Sequence, residues 1–351
     1  MAINLVTKFA PKLLQDFTVN SFFAGKACED YDLVGSRSLK IVTATTVPLN
    51  DYARDGLARF GTLQEVQDTV QELTMSQDRS FSLSLDKTNQ SDQLSMKKAG
   101  EFMKAQMDEQ VYPEMDKYAL QSYVSKAGKT FTLDAKPTKA NILQEIIKMR
   151  AQRVNAKAPM ENNYLALPTE IYSLILDTDK FLYIDKVSGK ALEKGVTGML
   201  YGFKVVEMPD EYFPDGVFAL AFNRKSVIAP KKIHTLRIIT EDKDVDGSIL
   251  QGHFYYDNFV LGRRAGAVMA LMKTDKQAKA PGIAISANAA TVTSDTAGAV
   301  IYYTLDNSDP RYSTSRKVYA SSVTMSANQT IRAVATKDGL YASDVSSKTN
   351  S

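Results

Sequence analysis

Asp242, Asp244 and Asp246, followed by Gly247, place carboxylates at alternate positions before a glycine, which is the first half of a calcium-wrapping loop. Such a loop closes on a bidentate glutamate. Here the closing position is His253, and the flanking segments read as strands where helices are required. The same residues suit the solvated tip of a hairpin. His234 and His253, the only histidines, fall at comparable places on neighbouring extended segments, and two imidazoles alone do not complete a zinc site. Gly195, Gly198 and Gly202 suggest a phosphate loop until the following residues are read. No Lys-Ser/Thr pair follows them, and Phe203 to Met208 has a strand pattern. Cys28 has no nearby histidine to activate it, no Gly-x-Ser-x-Gly elbow occurs, and spacing does not set Asp177, Asp179 and Asp215 opposite one another. The sequence therefore points away from an enzyme and calls for no cofactor and no metal.

The elements that would position any site hang from residues 91–128. Ser91 or Asp92 can cap a helix start, and Gly128 offers a stop. Met103, Met107, Val111, Met115 and Tyr118 recur at spacings of three or four, gathering on one stripe. Pro113 predicts a bend near Val111 or a helix restarting with the proline in its first turn. Before this helix, Phe9, Leu13, Leu14 and Phe17 line one face of a short helix in an arm too poor in apolar residues to close its own core. Segments around 66–75 and 80–86 are extended and flank the polar residues 76–79, predicting a long projecting hairpin whose open edges invite other chains.

After the central helix, Phe131 to Leu133 predicts a strand and Pro137-Thr138 a second helix, with Ile142, Leu143, Ile146, Ile147, Met149 and Val154 on its apolar side. Asn163 to Leu167 predicts a strand, and Pro168 to Glu170 opens a third helix through Leu176. Strands follow at 217–221, 233–240 and 248–257, then an apolar one over 259–272 interrupted by Arg263-Arg264. Without a regular β-α-β rhythm the class is α+β. Residues 273–280 are polar and aperiodic, a linker. Beyond it short strands at 283–286, 291–293, 300–305, 318–325, 330–337 and 340–345 predict a small β-sandwich.

The 351 residues, 44% of them hydrophobic, suffice for two or three domains. Lys plus Arg number 43 against 40 Asp plus Glu, a formal charge of +3, too balanced for a chain that coats nucleic acid. Lys148, Arg150, Arg153 and Lys157 cluster on or after one helix without interleaved aromatics, as a solvated face does. The longest apolar run, 265–272, is too short to span a bilayer, so no membrane partner is expected, and a single cysteine fits reducing cytoplasm.

Several separate segments agree in order with one family. Pro48 to Tyr52, Gln67 to Val70 with Leu73 to Met75, Asp78 to Ser82, Lys98 to Gly100, and Pro113 to Tyr118 resemble major capsid proteins of tailed bacteriophages. The resemblance covers most of 1–272 and implies the Hong Kong 97 type fold. It implies an N-terminal arm (1–50), an extended loop (about 56–90) and spine helix of a peripheral domain (51–134), an axial domain (135–231), and strands completing the peripheral domain (232–272). It further implies hexamers and pentamers in an icosahedral shell around double-stranded DNA, in a virion assembled in host cytoplasm. Scaffolding, portal and cement proteins would be partners, with scaffolding separate because no large extension precedes the arm. Phe9, Leu13, Val70, Leu73, Arg79, Phe81 and Leu83 become candidates for contact between subunits, and excising 71–86 should leave a folded but non-assembling subunit. Some members crosslink a loop lysine to a neighbour's asparagine, for which Lys87 and Asn258 are the nearest candidates. Alternatives are an encapsulin-like cargo nanocompartment shell, or a glycan-binding surface adhesin.

The last segment, 281–351, is similar to another family. Ile301 to Pro310, Tyr319, Thr330 to Ala335 and Gly339-Leu340 resemble the immunoglobulin-like modules at the C-termini of chitobiases. In these the aspartate-rich turn is structural, and Asn307 stands where glycine is usual, a residue that tolerates the left-handed conformation. The resemblance implies a domain displayed on the capsid surface, with a cell-surface glycan as its ligand.

Overall fold

The computed structural model describes residues 21–28, 38–44, 49, 51–52, 54–55, 59–60, 68–86, 99–177, 196–239 and 247–350. The expected arm helix with Phe9, Leu13, Leu14 and Phe17 lies outside them, as do the caps Ser91 and Asp92, Lys87, Asp179, Gly195, and the carboxylates at 242, 244 and 246.

In chain order the first strands are β1 (Ser38–Ala44), β2 (Asp68–Thr74) and β3 (Gln77–Asp86). The central helix follows as α1 (Ala99–Gln106), a widened π turn (Met107–Val111) and α2 (Tyr112–Ser125). Tyr112 N–H bonds to Met107 O, five residues back. Pro113 explains the wide turn. It has no N–H, and its ring would clash with the carbonyl four residues earlier. The bend is thus met by a π turn with the proline at the start of the next helical stretch.

Then come β4 (Lys129–Leu133), α3 (Ile142–Asn155), β5 (Asn163–Pro168), α4 (Thr169–Leu176), β6 (Gly198–Leu200), β7 (Phe203–Met208), β8 (Val217–Asn223) and β9 (Val227–Ile228). Next are β10 (Lys231–Ile239), β11 (Gly247–Tyr256), β12 (Phe259–Val260) and β13 (Met269–Lys273). A mixed six-stranded sheet in the order β4-β13-β8-β5-β7-β6 forms the body, taking β4 and β13 from outside 135–231. Period two sends successive side chains of β5 to opposite faces. Tyr164 and Ala166 meet Leu120, Tyr123 and Val124 of α2, whereas Leu165 and Leu167 meet Ile146 and Met149 of α3 and Ile171 of α4. Burial on both faces is why β5 and β8 read as unbroken apolar runs.

The hairpin expected between β2 and β3 does not form. β2 pairs with β1, and β3 is an edge strand of a separate sheet in the order β10-β11-β3. The apolar face of β3 finds its partners far along the chain. Leu85 packs with Met103 and Leu250, and Phe81 with Phe254, under the Met stripe of the central helix. Leu73 and Met75, at 3% and 0% exposure, join Cys28, Ile228, Phe259 and Leu261. Excising 71–86 would therefore remove core strands, so that expectation is replaced.

Four further readings change. The second helix starts at Ile142, and Ile147 and Val154 are exposed on it while Arg153 is buried. The expected strand over 259–272 is split by a 3-10 helix, Gly262–Ala267. Gly128 is not a left-handed helix stop, since α2 ends at Ser125. It serves close approach instead, because a Cβ there would lie 1.9 Å from Ala265 O. The polar stretch 273–280 is ordered, with a 3-10 turn at Thr274–Lys276 and Ala278 buried.

The C-terminal strands are β14 (Gly282–Ser286), β15 (Ala289–Thr293), β16 (Val300–Thr304), β17 (Lys317–Val318), β18 (Val323–Thr324), β19 (Thr330–Thr336) and β20 (Ser346–Thr349). They make two sheets, β14-β15-β18 and β17-β16-β19-β20, around Ala290, Val292, Ile301, Ile331 and Ala333. The last strand falls later than the expected 340–345.

Candidate functional site

Three polar assemblies and one apolar tip stand out. The first lies where the β2–β3 connection, α2 and the β11–β12 turn meet. Asp257, 3% exposed, accepts from Ser76 N and Oγ at 2.9 Å each, from Tyr118 Oη at 2.9 Å and from Asn258 N at 2.6 Å. Lys126 Nζ stands 4.0 Å away and donates to Asn258 O at 2.8 Å. Burial lowers the Lys126 pKa, with Asp257 opposing, and burial raises those of Tyr118 and Tyr123. Every carboxylate oxygen is occupied, so this is a structural node that welds three distant segments. Asn258, 5% exposed, accepts from Tyr123 Oη at 3.1 Å through its side chain.

The second assembly fixes residues 21–28 on the helix. Asp116 accepts from Ser21 Oγ and Phe22 N, both at 2.6 Å, while Phe22 and Phe23 sink into the core beside Tyr123 and Phe222. Burial raises the Asp116 pKa, partly offset by bonds from Ser21, Phe22 and Phe23.

The third is the joint between body and sandwich. Arg311 donates to Ala127 O at 2.8 Å and Gly128 O at 3.0 Å, and Tyr312 Oη donates to Lys126 O at 2.5 Å. These carbonyls lie just past the end of α2 at Ser125, beyond the reach of the helix's own N–H groups. Asp309 holds the guanidinium through Nε at 3.0 Å and Nη2 at 2.7 Å. Asp344 accepts from Thr130 N at 3.1 Å and pairs with Lys129 Nζ. A polar cavity of about 360 Å³ opens beside the joint, lined in part by Thr43, Thr69, Arg263, Asp306, Asn307 and Arg332. The aspartate-rich turn keeps its form, with Asn307 at φ +58° and Asp306 accepting from Ser308 N at 3.0 Å. Burial would raise the Asp306 pKa, but bonds from Ser308 and Ser315 bring it below the usual value.

The apolar tip is a group of exposed side chains among residues 49–60. Leu49 (101% exposed), Tyr52 (54%) and Phe60 (85%) face solvent, with the two rings 5.2 Å apart. Among the contact candidates, Leu73 is buried, Phe81 and Leu83 are half-buried within their own chain, Val70 is half-buried, and Arg79 is exposed. Phe9 and Leu13 lie outside the described residues. His253 pairs with Asp78 across β11 and β3. Tyr201 and Gly202, at φ +48° and +83°, make the tight turn between β6 and β7. Among the described residues no group of three His, Cys, Asp or Glu side chains is placed to hold a metal, and no helix is long and apolar enough to cross a membrane. The node and the joint carried no sequence signal beyond single polar residues in apolar surroundings, such as Asp257 between Tyr256 and Phe259.

A family model described as "Fn3 associated" matches residues 290–350. No curated protein sequence matches the chain. Among solved structures, one of Mycobacterium phage Che8 superposes with a TM-score of 0.61 at 18% identity, covering 77% of this chain and 98% of its own. The capsid structure of Cyanophage P-SCSP1u gives 0.61 at 12%, covering 77% and 93%. The mature capsid of bacteriophage PhiM1 gives 0.58 at 17%, covering 77% and 92%. Over about three-quarters of its length, the chain thus has the mixed α+β fold seen in phage capsid structures, with a stretch of Fn3-associated sequence at its C-terminal end.

Proposed function

We propose that the chain is a major capsid protein of the Hong Kong 97 type, assembling as hexamers and pentamers into an icosahedral head around double-stranded DNA. The carrying observation is the likeness over 77% of the chain to capsid structures that are themselves covered above 90%. Exposed apolar residues support it. Leu49, Tyr52 and Phe60 are left bare, and Leu236 and Ile238, at 47% and 43% exposure, lie bare on edge strand β10. A patch on one surface that suits a different surface of the next copy makes a heterologous contact, which builds rings and shells. Many weak contacts of this kind hold a closed shell. In this reading the extended segment of one subunit, with Val70 and Arg79 at its root, lies over the spine of the next, and Phe9 and Leu13 bind a neighbour through the arm. An intersubunit crosslink from Lys87 to Asn258 would have to displace Tyr123 from the asparagine.

Scaffolding, portal and cement proteins belong to the same reading, as do the virion as location and a glycan as ligand of the C-terminal module. Negative-stain microscopy of the expressed full chain is the test. Closed shells are expected. Dispersed monomers in the presence of a scaffolding protein would overturn the proposal, and shells filled with enzyme cargo would replace the phage head by a compartment.

A further inference from the structure

The C-terminal domain touches the body at three places that are far apart in sequence. Arg311 and Tyr312 close the carbonyl end of the spine helix, at residues 126–128. Asp344 grips the start of β4 through Thr130 N and Lys129 Nζ. The third contact is with β2: Thr314 N and Oγ1 donate to Val70 O at 3.4 and 3.3 Å, and Ser313 forms an isolated bridge with Gln71.

Gln71 is the pin of this joint. Its side chain accepts from Gly262 N at 2.8 Å and donates to Val260 O at 2.9 Å, so β2 is held between the 260–262 loop and residues 312–314. Gly262 leaves room for the Tyr312 side chain, whose Cβ and ring atoms would stand 3.0–3.2 Å from an added Cβ. Among the described residues β1 and β2 form a two-stranded ribbon that no third strand extends, the isolated Gln71–Ser313 bridge apart, and such a ribbon has little stiffness of its own. Leu39, Ile41 and Leu73 pack one side of it on the body, and the direction of the rest depends on what grips Val70 and Gln71.

We infer that the C-terminal domain is an intramolecular clamp that couples the end of the spine helix to the root of the β1–β2 ribbon and so sets the ribbon's direction. A module held only by its connecting segment would make none of these contacts. Here Arg311 and Asp309, at 11% and 12% side-chain exposure, are buried in the joint. The inference does not depend on the shell reading, because the contacts lie within one chain.

Coupling of this kind is reciprocal, so loosening one side must loosen the other. Two mild variants of the full chain test it. Tyr312→Phe keeps the ring against Gly262 and removes only the bond to Lys126 O, at the helix side. Thr314→Ala removes a hydroxyl from an exposed position, at the ribbon side. Hydrogen exchange read by mass spectrometry should show residues 68–74 exchanging faster in Tyr312→Phe, and 126–130 faster in Thr314→Ala. The expected factor is about threefold to tenfold, that of one lost hydrogen bond, with 163–168 unchanged in both. Changes confined to each variant's own side, or none in either, would overturn the clamp. Arg311→Ala serves as the stronger form: either accelerated exchange at 68–74 or outright unfolding of the ribbon before β5 is expected, and retained protection at 68–74 would overturn it.

Discussion

Asp116 is a carboxylate whose burial works against its charge. Its pKa is raised above the ordinary 3.8, chiefly by desolvation, with Ser21 and Phe22 pulling the other way. The folded chain thus holds the proton more tightly than the unfolded one. Stability from this group is present at low pH and declines as pH rises from 3.8 through the folded value. In Asp116→Asn that decline should vanish. Urea midpoints of both proteins at a series of pH values would check this, and parallel curves would count against it. Gly128 is a second residue whose role is local. Its missing Cβ lets β4 start against the Ala265 carbonyl, so Gly128→Ala should cost about 3 kcal/mol or more, the upper end for overpacking, in a denaturant titration. The sequence marked this glycine as special but for a different reason, since a chain stop and a close approach look alike without the partner strand. Arg153 was hidden in the opposite way. It reads as one more charge on a basic helix, yet it donates to Gly202 O at 2.7 Å and lies over the Phe203 ring.

Helices and strands were legible where their periodicity came from one core. The stripe from Met103 to Tyr118, the buried run of β5 and the alternation of β3 all appear as expected, because each side chain's burial is set by its own element. Strand pairing was not legible. The alternation in β3 says that one face is apolar but not which strand lies beside it, and β11 outcompetes the adjacent β2 by offering Leu250 and Phe254 under the helix. The π turn at Met107–Val111 is the element on which this packing depends. It adds a residue that lets α1 and α2 present their apolar faces to the same sheet. Deleting Gln110, an exposed residue of that turn, should rotate α1 by about 100° relative to α2 and turn Met103 off Leu85 and Leu250. A loss of about 2–5 kcal/mol is expected, as for emptying a Met site, and would be read from thermal unfolding.

At the scale of the whole molecule, the apolar tip and the clamp make different demands. A single subunit gains nothing from exposing Phe60 at 85%, and in the proposed shell that ring would be covered by another copy. Phe60→Ser should leave the subunit's unfolding midpoint within about 0.5 kcal/mol while reducing assembled particles severalfold in sedimentation profiles. Unchanged particle yield would remove the tip from the assembly surface. The overall α+β class and the C-terminal sandwich could be read from composition and strand spacing alone. Their docking could not, because its donors, Arg311, Tyr312 and Asp344, look like ordinary loop residues until the carbonyls of residues 126–128 and the start of β4 are set opposite them.

The sheet β10-β11-β3 also has a history during synthesis. Ser82 and Gln251, neighbours in the sheet, stand 169 positions apart. A ribosome adding residues at roughly 5–20 per second leaves β3 without its partner strand for roughly 10 to 30 seconds. Among the residues that pack on the strand's apolar side in the finished fold, those of the Met103 stripe emerge soon after it. A central helix that folds onto β3 in that interval would shelter the strand from other nascent chains before serving as the floor of the finished sheet.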